Sequence, residues 1–211
     1  PPPGYPPPPG YGAPAYPAPP PAHAPGFQLH DGVYTRLTLG GGYTRMSASA
    51  SGSDIVVSGG SVGLGVAVGG AITEHLVIYG AFAFTTIGSP TVSVDGMSSD
   101  NGGVSADSVG FGAGVAYYLE PANVYLAGTL LANEIEIDDS NGNTLGKTKL
   151  GVGVEALIGK EWWVSDNWGL GVAGQFLWAS MKDNDDGGLT GGVTPTWTST
   201  SFSVLFSATY N

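Results

Sequence analysis

Cysteine is absent from the 211 residues, which excludes disulfides, thiolate metal sites and cysteine nucleophiles. Charge is scarce: Asp, Glu, Lys and Arg together make up 11%, less than half of the roughly 25% usual in a soluble domain. A water-facing surface is hard to build from so little. Basic residues number 6 against 17 acidic ones, for a net charge of −11, so the clustered Lys and Arg that nucleic-acid phosphate requires are missing. Long apolar runs are missing as well. No stretch of about 18 uncharged apolar residues occurs, and glycine interrupts every hydrophobic segment, which argues against a helical membrane span. If the chain meets lipid, the other structure that satisfies every backbone donor and acceptor without water is a closed β-barrel. The sequence also starts without Met or a basic-then-apolar leader, so a processed form with its signal peptide removed is expected.

What is present divides into two parts. Pro1 to Pro25 hold nearly all of the 16 prolines, in PPPGY-like units that end at Tyr5 and Tyr11. Such a segment favours an extended, solvated polyproline-II chain and is read as a disordered spacer. The expected organisation is a Pro-rich tail over residues 1–27 and one folded domain over 28–211.

From Val33 onward the hydrophobic period is two, the signal of β-strands. Between Ser61 and Ile72, the residues Val62, Leu64, Val66, Val68 and Ile72 alternate with Ser61, Gly63, Gly65, Ala67, Gly69 and Ala71. One face is large and aliphatic and the other nearly all Gly, Ala and Ser, the reverse of what a soluble β-sandwich core needs. The large face is therefore expected to look outward into lipid. The same pattern puts Val33, Leu37, Leu39 and Tyr43 outward, then Leu76, Ile78, Phe82 and Phe84, then Val109, Phe111, Ala113, Val115 and Tyr117. Further on it selects Leu150, Val152, Val154, Ala156 and Ile158, then Trp168, Leu170, Val172, Phe176 and Trp178, and finally Phe202, Val204, Phe206, Ala208 and Tyr210. Between Asn123 and Ile137 the parity of Val124, Leu126 and Leu130 differs from that of Ile135 and Ile137, which predicts a bulge or an extension beyond the membrane. Eight strands result.

The connections alternate in length. Thr73 to His75, Glu120 to Ala122 and Val164 to Asn167 are tight; Ala48 to Val57, Gly88 to Ser105, Asp138 to Gly146 and Lys182 to Thr196 are long and rich in Gly, Ser, Asp and Asn. Short turns at one rim and long loops at the other are the habit of an all-β, eight-stranded antiparallel up-and-down transmembrane barrel. Its termini are expected in the periplasm and its loops outside the cell. Amphipathic rings favour the two lipid–water boundaries, so Tyr43, Tyr117, Tyr118, Trp162, Trp163, Trp168, Trp178, Trp197 and Tyr210 are assigned to aromatic girdles.

With these strands, turns and girdles the sequence from about Val33 to Asn211 resembles the OmpA/OmpX-type small outer-membrane barrels, by architecture rather than by a diagnostic string. The resemblance implies a bacterial outer-membrane location and contact with outer-membrane lipid and lipopolysaccharide. It also implies insertion by barrel-assembly machinery, for which Phe202, Val204, Phe206 and Tyr210 resemble the C-terminal signal. Asn211 departs from it, since an aromatic is expected at the last position. Such barrels often carry a peptidoglycan-binding domain after the last strand; only Asn211 follows Tyr210 here, and if this is the true end, no wall anchoring by such a domain is expected.

The interior of so small a barrel has room for side chains and hardly for a channel. Arg36, Lys149 and Glu155 fall on the inward parity, where unpaired charge is costly, and are expected to form an ion-pair or hydrogen-bond network with Gln175. A narrow porin would need a water path through that network. Acyl-transfer or hydrolytic chemistry would need a general base beside a nucleophile. His23 and His30 lie in or near the tail, and His75 sits with Glu74 in a tight turn. A non-enzyme is expected, without cofactor. Asp183, Asp185 and Gly187 echo a calcium loop, but no bidentate Glu follows, and no metal site is assigned. The functional reading is a structural or surface-interaction barrel whose acidic loops serve envelope integrity, adhesion or binding of a host-surface or protein partner.

Overall fold

The computed structural model describes Gly4, His30 and residues 32–50, 52–100, 103–184 and 194–211. The rest of the Pro-rich segment, His23, and the calcium-loop echo at Asp185 and Gly187 lie outside the described residues. The described chain holds eleven strands: β1 (Val33–Ala50), β2 (Ser53–Thr73), β3 (Leu76–Gly88), β4 (Thr91–Val94), β5 (Met97–Asp100), β6 (Val104–Leu119), β7 (Val124–Asp139), β8 (Thr144–Lys147), β9 (Gly151–Trp163), β10 (Trp168–Lys182) and β11 (Thr196–Tyr210). β1, β2, β3, β6, β7, β9, β10 and β11 pair antiparallel in that order, and β11 returns to β1, so the sheet closes on itself. Closure leaves these eight strands without a free edge.

Alternation along each strand determines the two faces. On β11, Phe202, Val204, Phe206 and Tyr210 are exposed while Ser201, Ser203, Ser207 and Thr209 are buried. The outward apolar set on this strand runs from Phe202 to Tyr210, close to the roughly 9–11 residues with which a tilted strand crosses a bilayer. Equivalent outward rows on the other barrel strands complete an apolar belt, among them Leu37, Leu39 and Tyr43 on β1 and Val109, Phe111 and Val115 on β6. The tight turns leave the belt at one end.

At the opposite end the strands run on past the belt. Three segments read as long loops are largely strand there. β1 and β2 stay paired up to Ala50 and Ser53, so most of the expected Ala48 to Val57 loop is paired strand. The Gly88 to Ser105 connection holds the β4–β5 hairpin, whose Val94 pairs with Ile55 of β2. The Asp138 to Gly146 connection holds the end of β7 and the start of β8.

The parity change in β7 has the same origin. Its ladder with β6 is continuous from Val124 to Asp139, so no bulge reverses the faces. The environment reverses instead. Within the belt Leu130 points outward and is 71% exposed, whereas beyond it Ile135 points inward and is fully buried, with Glu134 and Glu136 on the outside. Water surrounds the extension, so it takes the apolar-in, polar-out pattern of a soluble sheet.

Candidate functional site

The barrel interior is the site that the sequence singled out, and it is layered. At the tight-turn end His30 is buried. Its Nδ1 lies 2.8 Å from Asn211 Oδ1 and its Nε2 3.3 Å from Asn123 Oδ1. The ring stacks against Tyr118, with centroids 3.6 Å apart, and also meets Trp163. The residue just before the barrel thus caps its mouth.

Next come Tyr34, Tyr118, Tyr125 and Glu161, all buried. The Tyr34 and Tyr118 hydroxyls approach to 3.2 Å. The Glu161 carboxylate accepts from Thr209 at 2.6 Å, from Ser207 at 3.4 Å and from Tyr118 at 3.5 Å. Beyond this layer the Arg36 guanidinium carbon lies 4.8 Å from the Tyr125 ring centroid, 5.5 Å from that of Tyr79 and 5.9 Å from that of Tyr34. A planar, weakly hydrated cation suits such an aromatic cage, because ring faces offset part of its lost hydration.

Glu155 follows, buried on β9. Gln175 Nε2 donates to its Oε1 and Thr129 donates to its Oε2 at 2.9 Å. The single Thr129 hydrogen is thereby used, so the Tyr79 hydroxyl, 3.0 Å from Thr129 Oγ1, is the donor in that contact. Arg36 and Glu155 line one small cavity of about 20 Å³ with Thr38 and Tyr79, room for about one water. Above it the hydroxyls of Thr44, Ser61 and Ser201 meet at 2.9 Å. Met46, Leu131, Ile135, Met181 and Trp197 then fill the long-loop end with apolar side chains.

Of the predicted network, Glu155 and Gln175 are joined and Arg36 stands beside them. Lys149 does not belong: it is exposed, ahead of β9. The span from Asn133 to Glu136 on β7 faces the span from Gly151 to Lys147 on its partner, one residue more. This β-bulge places Lys149 and Leu150 both outside, so the inward parity of β9 does not extend back to Lys149. Glu161 was missed, although continuing the β9 alternation by three pleats from Glu155 reaches it.

Two girdle assignments are corrected. Tyr118 and Trp197 are buried inside the barrel, because neighbours on a strand face opposite sides: Tyr117 and Thr196 take the outward positions. Trp163 is likewise half-buried beside His30. Tyr43, Tyr117, Trp162, Trp168, Trp178 and Tyr210 are exposed on the outer face. In the Glu74–His75 turn Glu74 is exposed and His75 lies against the Tyr117 ring.

A closed antiparallel barrel of eight strands, apolar outside and filled inside, is a transmembrane architecture. Comparison with solved structures agrees. The chain matches Neisserial surface protein A at 17% identity and a TM-score of 0.52, over 84% of this chain and 96% of that one. It matches the outer membrane protein OprG from Pseudomonas aeruginosa at 13% identity and a TM-score of 0.50, over 88% and 99%. The chain has the fold of the small outer-membrane β-barrels. No family model matches it, and no curated relative does. Identities this low speak for the fold of the barrel alone, and its side chains must supply the rest.

Proposed function

We propose that the protein is a non-conducting, non-enzymatic barrel of the bacterial outer membrane whose work is done by its acidic strand extension, presented outside the cell for adhesion or partner binding. The observation that carries this reading is the outer face beyond the belt. Asp54, Asp100, Glu134 and Glu136 stand there on paired strands, and Asp95, in the tight turn between β4 and β5, accepts from the Asp54 backbone N–H. A paired sheet holds its charges in a stable pattern, which a recognition surface needs and a membrane plug does not. The filled interior supports the absence of conduction, since the cavity lined by Arg36 and Glu155 has room for only about one water.

In this arrangement both termini face the periplasm, with residues 1–27 as a spacer there and 28–211 as the barrel domain. The acidic rim meets the divalent cations that bridge lipopolysaccharide. The exposed girdle rings sit at the two lipid boundaries, and the outward aromatics of β11 serve the assembly machinery. A narrow porin would need a continuous water path past Arg36 and Glu155.

Fractionation of cells, external proteolysis and planar-bilayer recording test the reading together. The expected result is outer-membrane recovery with heat-modifiable gel migration, cleavage of the extension from outside, and no steady conductance. Steady conductance of nanosiemens order would sink the closed-barrel reading, and a protected extension would sink its orientation.

A further inference from the structure

Glycine occurs on the outer face of the belt where packing does not demand it. A Cβ placed on Gly174 of β10 would meet only Ile158, 3.8 Å from its Cγ2 and 4.0 Å from its carbonyl oxygen, which is ordinary contact. Gly174 stands opposite Ile158 of β9 and Val204 of β11. Its missing side chain leaves a furrow between two branched neighbours. One part of the furrow, about 550 Å³, extends toward Phe176 and Phe202. Another, about 340 Å³, extends toward Lys160. Both share Ile158, Gly174 and Val204, so they form one continuous apolar groove with a cation at its tight-turn end.

That cation is held in place. The Lys160 ammonium donates to the Ala122 carbonyl and lies 5.3 Å from the Trp162 ring centroid, at the level of the exposed rings Trp162 and Trp168. Of the other basic residues, Arg36 is inside the barrel and Arg45, Lys147, Lys149 and Lys182 stand toward the long-loop end. Lys147 pairs with Glu134 and Glu136, away from Lys160. An ammonium has three donors, and one is taken by Ala122.

We propose that this groove is a binding site for an anionic phospholipid of the leaflet at the tight-turn end. One acyl chain lies over Gly174, and the headgroup phosphate accepts from Lys160 beside Trp162. The site rests on the membrane placement of the belt. The apolar furrow suits the chain, the two remaining ammonium donors suit phosphate oxygens, and the indole suits the interface between them.

The test is native mass spectrometry of the folded full chain released from nanodiscs of mixed phosphatidylglycerol and phosphatidylcholine. Wild type is expected to retain one phosphatidylglycerol in preference to phosphatidylcholine by about fivefold, the effect of one basic residue near an anionic surface. Lys160→Gln should bring the two lipids to parity. Gly174→Leu should lower retention of both, while Gly174→Ala, whose added methyl has room, should change little. Heat-modifiable migration identifies folded variants. Parity in the wild type, or a preference that survives Lys160→Gln, overturns the site. So does a protein dimer lost in Gly174→Leu, which would make the groove a contact between copies. Failure of the wild type to enter nanodiscs would instead overturn the membrane placement itself.

Discussion

Glu161 of β9 and Thr209 of β11 are hydrogen-bonded at 2.6 Å, although β10 lies between their strands. The bond crosses over Gly171, which pairs with Glu161 on one side and Ser207 on the other. A Cβ on Gly171 would come within 2.8 Å of Glu161 Cγ, 2.7 Å of Ser207 Oγ and 2.4 Å of the Lys160 carbonyl oxygen. Glycine there is a steric requirement of the cross-barrel bond, in contrast to Gly174.

Gly171→Ala should therefore destabilise the barrel by about 1–3 kcal/mol through overpacking. Thr209→Val, which keeps shape and removes the donor, should cost about 1.5–3 kcal/mol if the carboxylate is charged. Urea unfolding of the protein in lipid vesicles checks both. A Gly171→Ala protein as stable as wild type would mean that Glu161 does not occupy this position.

Arg36 stands in its aromatic cage between the Glu155 and Glu161 layers. Arg36→Ala should cost on the order of 3 kcal/mol, since it removes the cation and leaves buried carboxylates behind. Arg36→Lys should recover only part, because an ammonium lacks the flat face that lies over Tyr125. The same unfolding measurement reads both variants, and equal stability of Arg36→Ala and wild type would refute the cage.

Beyond the belt the faces reverse, and mutation should report it. Ile135→Ala should cost about 2–4 kcal/mol as a core truncation. Glu136→Ala, next to it on the outer face, should stay within about 0.5 kcal/mol. Similar losses at both positions would mean that the extension is not a packed sheet.

Two groups on this extension respond to pH in opposite directions. The Asp139 carboxylate is held below its ordinary range by bonds from the Asn143 side chain first and the Asn143 backbone next. Its contribution is present above the unfolded pKa, near 3.9, and is lost as pH falls through the lowered value. The Lys147 ammonium is raised by its hydrogen bond to Glu134, 2.7 Å away. That contribution is complete below the unfolded lysine pKa, near 10.4, and is lost as pH rises through the raised value. Amide shifts of Asn141 and Asn143 should accordingly move only in acid, and in Asp139→Asn they should be flat.

Much of the fold was legible because a strand alternates locally whatever surrounds it. The reversed faces of Ser61 to Ile72, the three tight turns and the outward row from Phe202 to Tyr210 are carried by neighbouring residues and needed no distant partner. That is why the eight barrel strands could be read one at a time. Alternation also held more strictly than the girdle assignment allowed, since Tyr117 and Tyr118 cannot share a face.

The tertiary structure decided what depends on height and on closure. Whether an outward position meets lipid or water is a matter of its height along the barrel, so Leu130 and Ile135 point to opposite sides without any break in β7. Which inward side chains meet depends on how the strands are staggered around the ring, and this brought Glu161 to Thr209 and Arg36 to Tyr125. A single extra residue ahead of β9 sent Lys149 outward. The sequence by itself determined an alternating, membrane-suited sheet and the inward parity of Arg36 and Glu155; only closing it determined which groups those charges meet, because the partners that make buried charge tolerable come from strands far apart in the chain.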